Sequence, residues 1–217
     1  MFGWRWLEKV IFRKIKKLLR LLKKLPSIIK NEIKDKKHRY KSINIYFQDE
    51  SRFGLLTTVG RRLTIRGIKP ICPYQHKFEY TYLFGAFSPV NGDSCMLELP
   101  FCNANTFQLF LNELSIQKPK ELKVVFLDNG PFHKAKKLKI PDNIILIFLP
   151  PYSPELNPAE KIWWTIKREI CMRSFDTIRQ LQNALTKIIN TIFSKQKIKT
   201  ITGYKLFLSA FKTIIYV

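Results

Sequence analysis

Five short stretches rich in β-branched and aromatic residues, each bounded by turn-forming residues, constrain the fold of this chain most strongly. This composition is typical of β-strands. The chain can build a core around such strands, because 46% of its 217 residues are hydrophobic and 13% are aromatic. The five stretches are INIYFQ (43–48), YTYLFGAF (80–87), SCMLEL (94–99), LKVVFL (122–127) and IILIF (144–148).

Helical patterns lie between and after these predicted strands. The stretch NTFQLFLNEL (105–114) carries apolar residues at helical spacing, and the segment from Asn157 to about Phe193 is mostly helical in pattern. Early strands, a crossing helix and later helices predict an α/β domain with a mixed sheet flanked by helices. The apolar face of the first helix should consist of Phe107, Phe110, Leu111 and Leu114.

The chain is strongly basic, with a formal net charge of +23 and a pI near 10.0. A charge of this size indicates a polyanionic partner, of which nucleic acid is the first candidate and an anionic membrane surface the second. No apolar stretch approaches 18 residues, so we expect no membrane span. The four cysteines lack paired spacing, which argues against a zinc site or disulfide framework and favours a reducing compartment: Cys72, Cys95, Cys102 and Cys171.

Residues 1–41 differ from the rest, since 15 Lys and Arg against three acidic residues give them a net charge of +12. Apolar residues recur every three or four positions from Trp4 to Leu25, and Pro26 ends the pattern. The sequence therefore predicts a basic amphipathic helix. Three roles remain open for it: packing on the domain core, contact with a DNA backbone, or lying on a membrane surface.

Two of the few carboxylates follow predicted strands. Asp49 comes after INIYFQ, and Asp128 comes directly after LKVVFL. Functional groups of α/β proteins lie at the C-terminal ends of strands, where a carboxylate needs a cation or hydrogen bonds to offset its desolvation. Either aspartate alone is equally consistent with an Asx-turn that ends its strand.

A third carboxylate opens a predicted helix after a proline-rich lead-in, FLPPYSPELNPAEKIWW (148–164). We expect Asn157 at the N-cap, Pro158 at the first helical position and Glu160 at the third, where its carboxylate can reach back to the cap. Capping alone explains this pattern, as does a rigid lead-in that aims Glu160 at a site. Three converging carboxylates need a counter-charge such as Mg²⁺ or Mn²⁺, and two such ions can clamp an in-line phosphoryl displacement.

Three blocks of this sequence resemble the signature blocks of the DDE transposases, in particular the bacterial insertion-sequence branch related to the mariner elements. They occur in the family's order, and the resemblance extends from about Ile43 to at least Phe193. It implies an RNase H-like fold, two divalent ions (Mg²⁺ or Mn²⁺), and cutting followed by joining of DNA ends, with water and then a freed 3′-hydroxyl as nucleophile. The blocks are FQDESRFG (47–54), FLDNGPFHK (126–134) and LPPYSPELNPAEKIWWTIKREI (149–170).

The family's catalytic metal ligands carry over onto Asp49, Asp128 and Glu160, with 31 residues between the last two. Glu50 then corresponds to the neighbouring residue of the first block rather than to a ligand. His133 belongs to the second block, where it contacts phosphate, steers a metal ligand or packs locally.

Other side chains of these blocks have less specific roles. Trp163 and Trp164 follow Glu160, and we expect them to anchor their helix in the core rather than to stack on bases. The candidate contacts to nucleic acid are His133 together with Arg52, Arg61 and Arg62.

The sequence departs from full-length relatives, which carry helix-turn-helix modules ahead of the catalytic domain. We expect a separately translated catalytic half, a half joined to an upstream helix-turn-helix frame by frameshifting, or a truncated relic. The expected parts are the helical extension 1–41, the catalytic domain 42–193 and a basic and apolar tail 194–217 packed on the domain.

The leading hypothesis is a metal-dependent transposase that acts on element ends and target DNA, forms a homodimer in its active complex, and works at the nucleoid in a bacterial cytoplasm. The alternatives are a catalytically inactive basic DNA-binding remnant and an amphipathic membrane-surface protein. Mg²⁺-dependent nicking of DNA separates the first hypothesis from both others.

Overall fold

The structure, a computed structural model, describes residues 39–57, 64–69, 71, 74–151, 153–204 and 208. The predicted N-terminal helix, the end of the predicted tail, and the candidate DNA contacts Arg61 and Arg62 lie outside these residues. Within the described residues, five strands form one sheet: β1 (Ser42–Gly54), β2 (Tyr80–Phe87), β3 (Ser94–Leu99), β4 (Glu121–Leu127) and β5 (Ile144–Phe148).

The sheet is mixed, as predicted, with the strand order β3-β2-β1-β4-β5. Strands β3, β2 and β1 pair antiparallel, whereas β1, β4 and β5 pair parallel. The expectation that the first strand ends before Asp49 is wrong. Strand β1 continues to Gly54 because its second half pairs with β2, with Asp49 opposite Gly85. Asp49 therefore lies inside a strand, beyond the point where the pairing with β4 ends at Phe47.

In the described part of the chain, four helices flank the sheet: α1 (Ala104–Ile116), α2 (Ala159–Ile170), α3 (Ile178–Ile192) and α4 (Lys195–Thr202). Helix α1 starts with a capping box, in which Asn103 accepts from the Thr106 N–H and the Thr106 hydroxyl accepts from the Asn103 N–H. The predicted apolar face of α1 is confirmed, since its four residues are at most 1% exposed. Burial of each such side chain stabilises the fold by about 1.5–3 kcal/mol.

The two faces of the sheet are covered by different helices. Because successive residues of a strand point to opposite faces, Tyr46 and Phe84 pack with α1, while Phe53 and Phe87 pack with α2 and α3. Trp163 of α2 lies in the second cluster. The sheet is thus enclosed between helices. The point where the pairing of β1 with β4 ends lies next to the start of α2.

The helical last third is interrupted after α2, where Met172 adopts a left-handed φ of 60°. This conformation ends an α-helix. Helix α4 lies in the segment expected to form a tail, and it packs on the domain through Ile198, which is 1% exposed. The Lys195 ammonium also pairs with Asp93, at 2.8 Å. No helix of the described residues is long and apolar enough to cross a membrane.

Candidate active site

A cleft of about 450 Å³ opens where the parallel pairing of β1 with β4 ends and α2 begins. The last parallel pair is Phe47 opposite Phe126. Asp49 and Asp128 each follow this pair by two residues, so the register gives them equivalent positions on neighbouring strands. Both carboxylates and that of Glu160 line the cleft. The structure therefore brings the three predicted site residues to one place.

Local hydrogen bonds at the start of α2 fix the position of Glu160. The helix begins at Ala159 with Pro158 at the N-cap position, one residue later than the sequence suggested. The side-chain oxygen of Asn157 nevertheless accepts from the Ala159 backbone N–H at 3.1 Å. The side-chain NH₂ of Asn157 donates to the Gln48 backbone carbonyl at 2.8 Å. Among the described residues, the Glu160 carboxylate makes no hydrogen bond to the N-cap residue, so the expected capping box is wrong.

Trp163 connects α2 to Asp49. Its indole N–H donates to Asp49 Oδ2 at 2.9 Å, and the ring is 1% exposed. Phe53 and Phe87 pack against this ring edge-on. A Cβ at Gly85, the residue paired with Asp49, would lie 2.6 Å from the Trp163 ring. Glycine is therefore needed there for the indole to reach the carboxylate.

Asp128 is held from the other side of the cleft. Its Oδ1 accepts from the Gly130 N–H at 2.8 Å and lies 2.9 Å from His133 Nδ1, in an ion-pair contact. The other ring nitrogen, Nε2, lies 3.0 Å from Glu50 Oε1. The His133 side chain is 1% exposed, so this structure leaves neither ring nitrogen open to a phosphate.

The two aspartates have opposite electrostatic environments. Burial raises the pKa of Asp49 well above its usual range, and the nearby charges of Glu50, Glu160 and Asp128 raise it further. The His133 contact lowers the pKa of Asp128. Burial alone would lower the pKa of His133, but its carboxylate partners Asp128 and Glu50 outweigh burial and raise it to about 9.

The described lining of the cleft contains no Lys, Arg or His, although the whole chain carries a net charge of +23. Its ionisable groups are carboxylates, the oxygen ligands that hard divalent cations prefer. Burial raises the pKa of the Cys102 thiol to about 11, and the nearby carboxylates add to this shift. No group of His, Cys, Asp and Glu in the described part of the chain forms a ready-made metal site. The carboxylates that line the cleft are thus suitable ligands for a divalent cation, but in this structure they lie too far from one another to form a complete metal site.

Two other predicted side chains lie away from the cleft. Trp164 is 60% exposed and lies under the Arg168 guanidinium, 4.8 Å from the ring centre. The expectation that Trp164 anchors α2 in the core is wrong, because consecutive residues of a helix point in different directions. Arg52 is exposed on β1, with its guanidinium 5.3 Å from the Tyr80 ring centre.

A sequence model of the family described as "DDE superfamily endonuclease" matches residues 44–182. The match spans well over half of the chain and contains Asp49, Asp128 and Glu160. The chain belongs to the DDE superfamily endonucleases. This chain is also 44% identical over 86 residues to the uncharacterized protein y4pE/y4sA of Sinorhizobium fredii, a match that covers 39% of this chain and 63% of that protein.

The fold of this chain is RNase H-like and is similar to that of Mos1 transposase. The Mos1 paired-end complex with the left transposon end matches with a TM-score of 0.60 at 16% identity. That match covers 93% of this chain and 61% of that chain. The Mos1 strand transfer complex gives a TM-score of 0.59, and the mariner Mos1 paired-end complex with Mn gives 0.56 at 17% identity. At these identities the likeness concerns the fold.

Sequence reasoning missed two pairings in this chain. Trp163 was expected to pack in the core, which it does, but its bond to Asp49 joins residues 114 positions apart. The resemblance assigns Glu50 no role as a ligand, yet Glu50 contacts His133 across 83 positions. The only signal for either pair in the sequence is that all four residues lie in the blocks that carry the family resemblance.

Proposed function

We propose that this endonuclease is the catalytic domain of a DNA transposase, which cleaves phosphodiester bonds at the ends of an element and joins the freed ends to target DNA. The observation that carries this proposal is the cleft itself. Asp49, Asp128 and Glu160 line it, no described cationic side chain does, and the chain as a whole carries a net charge of +23. The basic chain can hold a polyanion while the carboxylates act on its backbone.

Asp49, Asp128 and Glu160 are the residues that would hold Mg²⁺ or Mn²⁺, with two ions as the proposed number. Mos1 paired-end complexes with Mn and with Mg support this choice of metals by analogy. Divalent ions, when bound, supply the charge that stabilises both the attacking and the leaving oxygen of an in-line displacement. The raised pKa of Asp49 supports the same assignment, because burial and then the nearby negative charges of Glu50, Glu160 and Asp128 disfavour its ionised form where no local cation offsets them.

The other residues of the site orient these carboxylates. Trp163 fixes one oxygen of Asp49, and Asn157 ties the start of α2 to β1 one residue before Asp49. The prolines ahead of α2 restrict the backbone that leads to Glu160. Such restraint matters because a misplacement of about 1 Å at a reacting centre can lower a rate about 10²-fold.

The proposed substrate is duplex DNA, both as element end and as target, and we place the protein at the nucleoid. We propose a homodimeric active complex, supported by the paired-end organisation named for the Mos1 structures. The chain spans 61% of the length of that Mos1 chain. Recognition of specific element ends is assigned to a helix-turn-helix module supplied by an upstream protein or fused frame. The catalytic domain is placed at residues 42–193, with α4 packed on it.

A nicking assay tests the proposed function. Purified chain should convert supercoiled plasmid to nicked DNA with Mg²⁺ or Mn²⁺, and should not do so with EDTA. Asp128→Asn serves as the matched control, because it keeps the shape of the side chain and removes the anion. DNA binding that is sensitive to salt, without nicking under any metal, would instead support the catalytically inactive remnant.

A further inference from the structure

Glu50 is a buried carboxylate that does not line the cleft. It follows Asp49 on β1 and therefore points to the opposite face of the sheet. Its side chain is 9% exposed, so its charge needs partners inside the fold. Gln48 Nε2 donates to Glu50 Oε1 at 2.7 Å, and His133 Nε2 lies 3.0 Å from the same oxygen. The buried Glu50 carboxylate thus orients the His133 ring.

The His133 ring has little freedom to turn. The rings of Phe107 and Phe132 lie with their centres 4.5 Å and 4.1 Å from its own. The His133 backbone N–H also donates to the Gly130 carbonyl at 3.0 Å, which closes the turn after β4. With the ring fixed between aromatic side chains and Nε2 directed at Glu50, Nδ1 must point to the carboxylate on the other side.

That carboxylate is Asp128, whose side chain is 63% exposed and would otherwise rotate freely. Its Oδ1 is held by the Gly130 N–H and faces His133 Nδ1. No described residue donates to Oδ2, so one oxygen is fixed while the other is left for the cleft. A Cβ at Gly130 would lie 3.0 Å from His133 Nδ1 and 3.2 Å from Asp128 Oδ1, so the glycine permits this close arrangement.

We propose that Glu50 and His133 are positioning residues that fix the orientation of Asp128 for cleavage, an inference that rests on the proposed function. The order of contacts is Glu50 to His133 to Asp128, and it runs from the protected face of the sheet to the cleft. Neither positioning residue lines the cleft. Partners that orient a metal-binding side chain typically affect metal affinity or activity by about 10- to 100-fold.

Two substitutions of His133 separate the contacts of its ring. His133→Gln places an amide near the Nε2 position and keeps a bond to Glu50, whereas His133→Asn places an amide near Nδ1 and keeps the contact with Asp128. His133→Gln should lower kcat for nicking by about 10- to 100-fold without changing KM for DNA, and His133→Asn should retain clearly more activity. The proposal would be overturned if both variants lost the same nicking activity and these losses followed the fall in their melting temperatures. A change confined to KM would also overturn it.

Nitrogen NMR of the ring in the metal-free protein gives a second readout, with His133→Gln used to assign the signals. Asp128→Asn should shift the Nδ1 signal more than the Nε2 signal, and Glu50→Gln should do the reverse. A ring that responds to neither substitution would overturn the proposal. If the parent protein fails to nick DNA, the proposed function fails, and the NMR result alone decides whether Glu50 and His133 hold Asp128.

Discussion

Asp49 and Asp128 occupy equivalent positions on neighbouring strands, yet the protein treats them differently. Asp128 has its charge offset by His133 and the Gly130 N–H, and its pKa is lowered. Asp49 receives one indole N–H, is surrounded by other carboxylates, and has a raised pKa. The folded chain thus stabilises one anion of the cleft and leaves the other without a counter-charge. The Asp49 side is where a bound cation would change the energetics most.

The packing that supports Asp49 gives the largest predicted effect. Trp163→Ala removes a fully buried ring and should lower the free energy of unfolding by about 3–5 kcal/mol, measured by urea titration. Trp164→Ala is the matched control on the next residue and should change it by less than about 0.5 kcal/mol, because that ring is exposed. Similar losses in the two variants would contradict the structure of the Asp49 side.

The ion pair that supports Asp128 should appear in the pH dependence of stability. The folded pKa of His133 is raised from 6.5 to about 9. Its stabilising contribution is therefore fully present below pH 6.5 and is lost as the pH rises through 9. The shift corresponds to about 3 kcal/mol. Urea titrations between pH 6 and 10 should show this fall in the parent and a flatter profile in His133→Gln; identical profiles would refute the assignment.

Neutralising the two aspartates should have opposite effects on the metal-free protein near pH 7. Asp128→Asn should lower the free energy of unfolding by about 1 kcal/mol, since the pair it breaks is partly screened by solvent. Asp49→Asn should raise it, because a carboxyl whose folded pKa is raised loses its contribution to stability as the pH rises through that value. If thermal melts show that both substitutions raise the stability, or that both lower it, the electrostatic difference between Asp49 and Asp128 is refuted.

Metal binding should slightly reduce the electrostatic difference between Asp49 and Asp128. Mn²⁺ at a concentration equal to its dissociation constant stabilises the folded state by about 0.4 kcal/mol. We expect a rise in melting temperature with Mn²⁺ in the parent, and none in Asp49→Asn or Asp128→Asn. Melts with and without duplex DNA measure this effect. A parent protein that is indifferent to Mn²⁺ in both series would count against a metal site.

The core elements could be predicted from sequence because their signals are local. The composition of β2, β3 and β5 and the apolar spacing of α1 matched the structure closely. The second half of β1 could not be predicted in this way, since DESRFG (49–54) is polar and becomes a strand only by pairing with β2. Helix α4 was missed for a similar reason, because it depends on packing of Ile198 and on the Lys195 pair with Asp93.

The residues of the cleft were predicted from the family blocks, but their supports were not. Asp49, Asp128 and Glu160 stand in recognisable contexts along the chain. The contacts of Trp163 and His133 with these acids depend on the register of distant strands, and no local pattern specifies them. The different treatment of Trp163 and Trp164 likewise depends on which side of α2 faces the sheet.

The most direct test of the account is the nicking rate of Glu160→Gln. Glutamine keeps the size of the side chain and removes the anion, and on an exposed helix start this costs about 0.3–1 kcal/mol. If the three carboxylates act together, Glu160→Gln should melt close to the parent and bind DNA equally well, yet lose metal-dependent nicking by several orders of magnitude. Nicking at the parental rate would show that Glu160 takes no part in the reaction and that the three-carboxylate site is wrong.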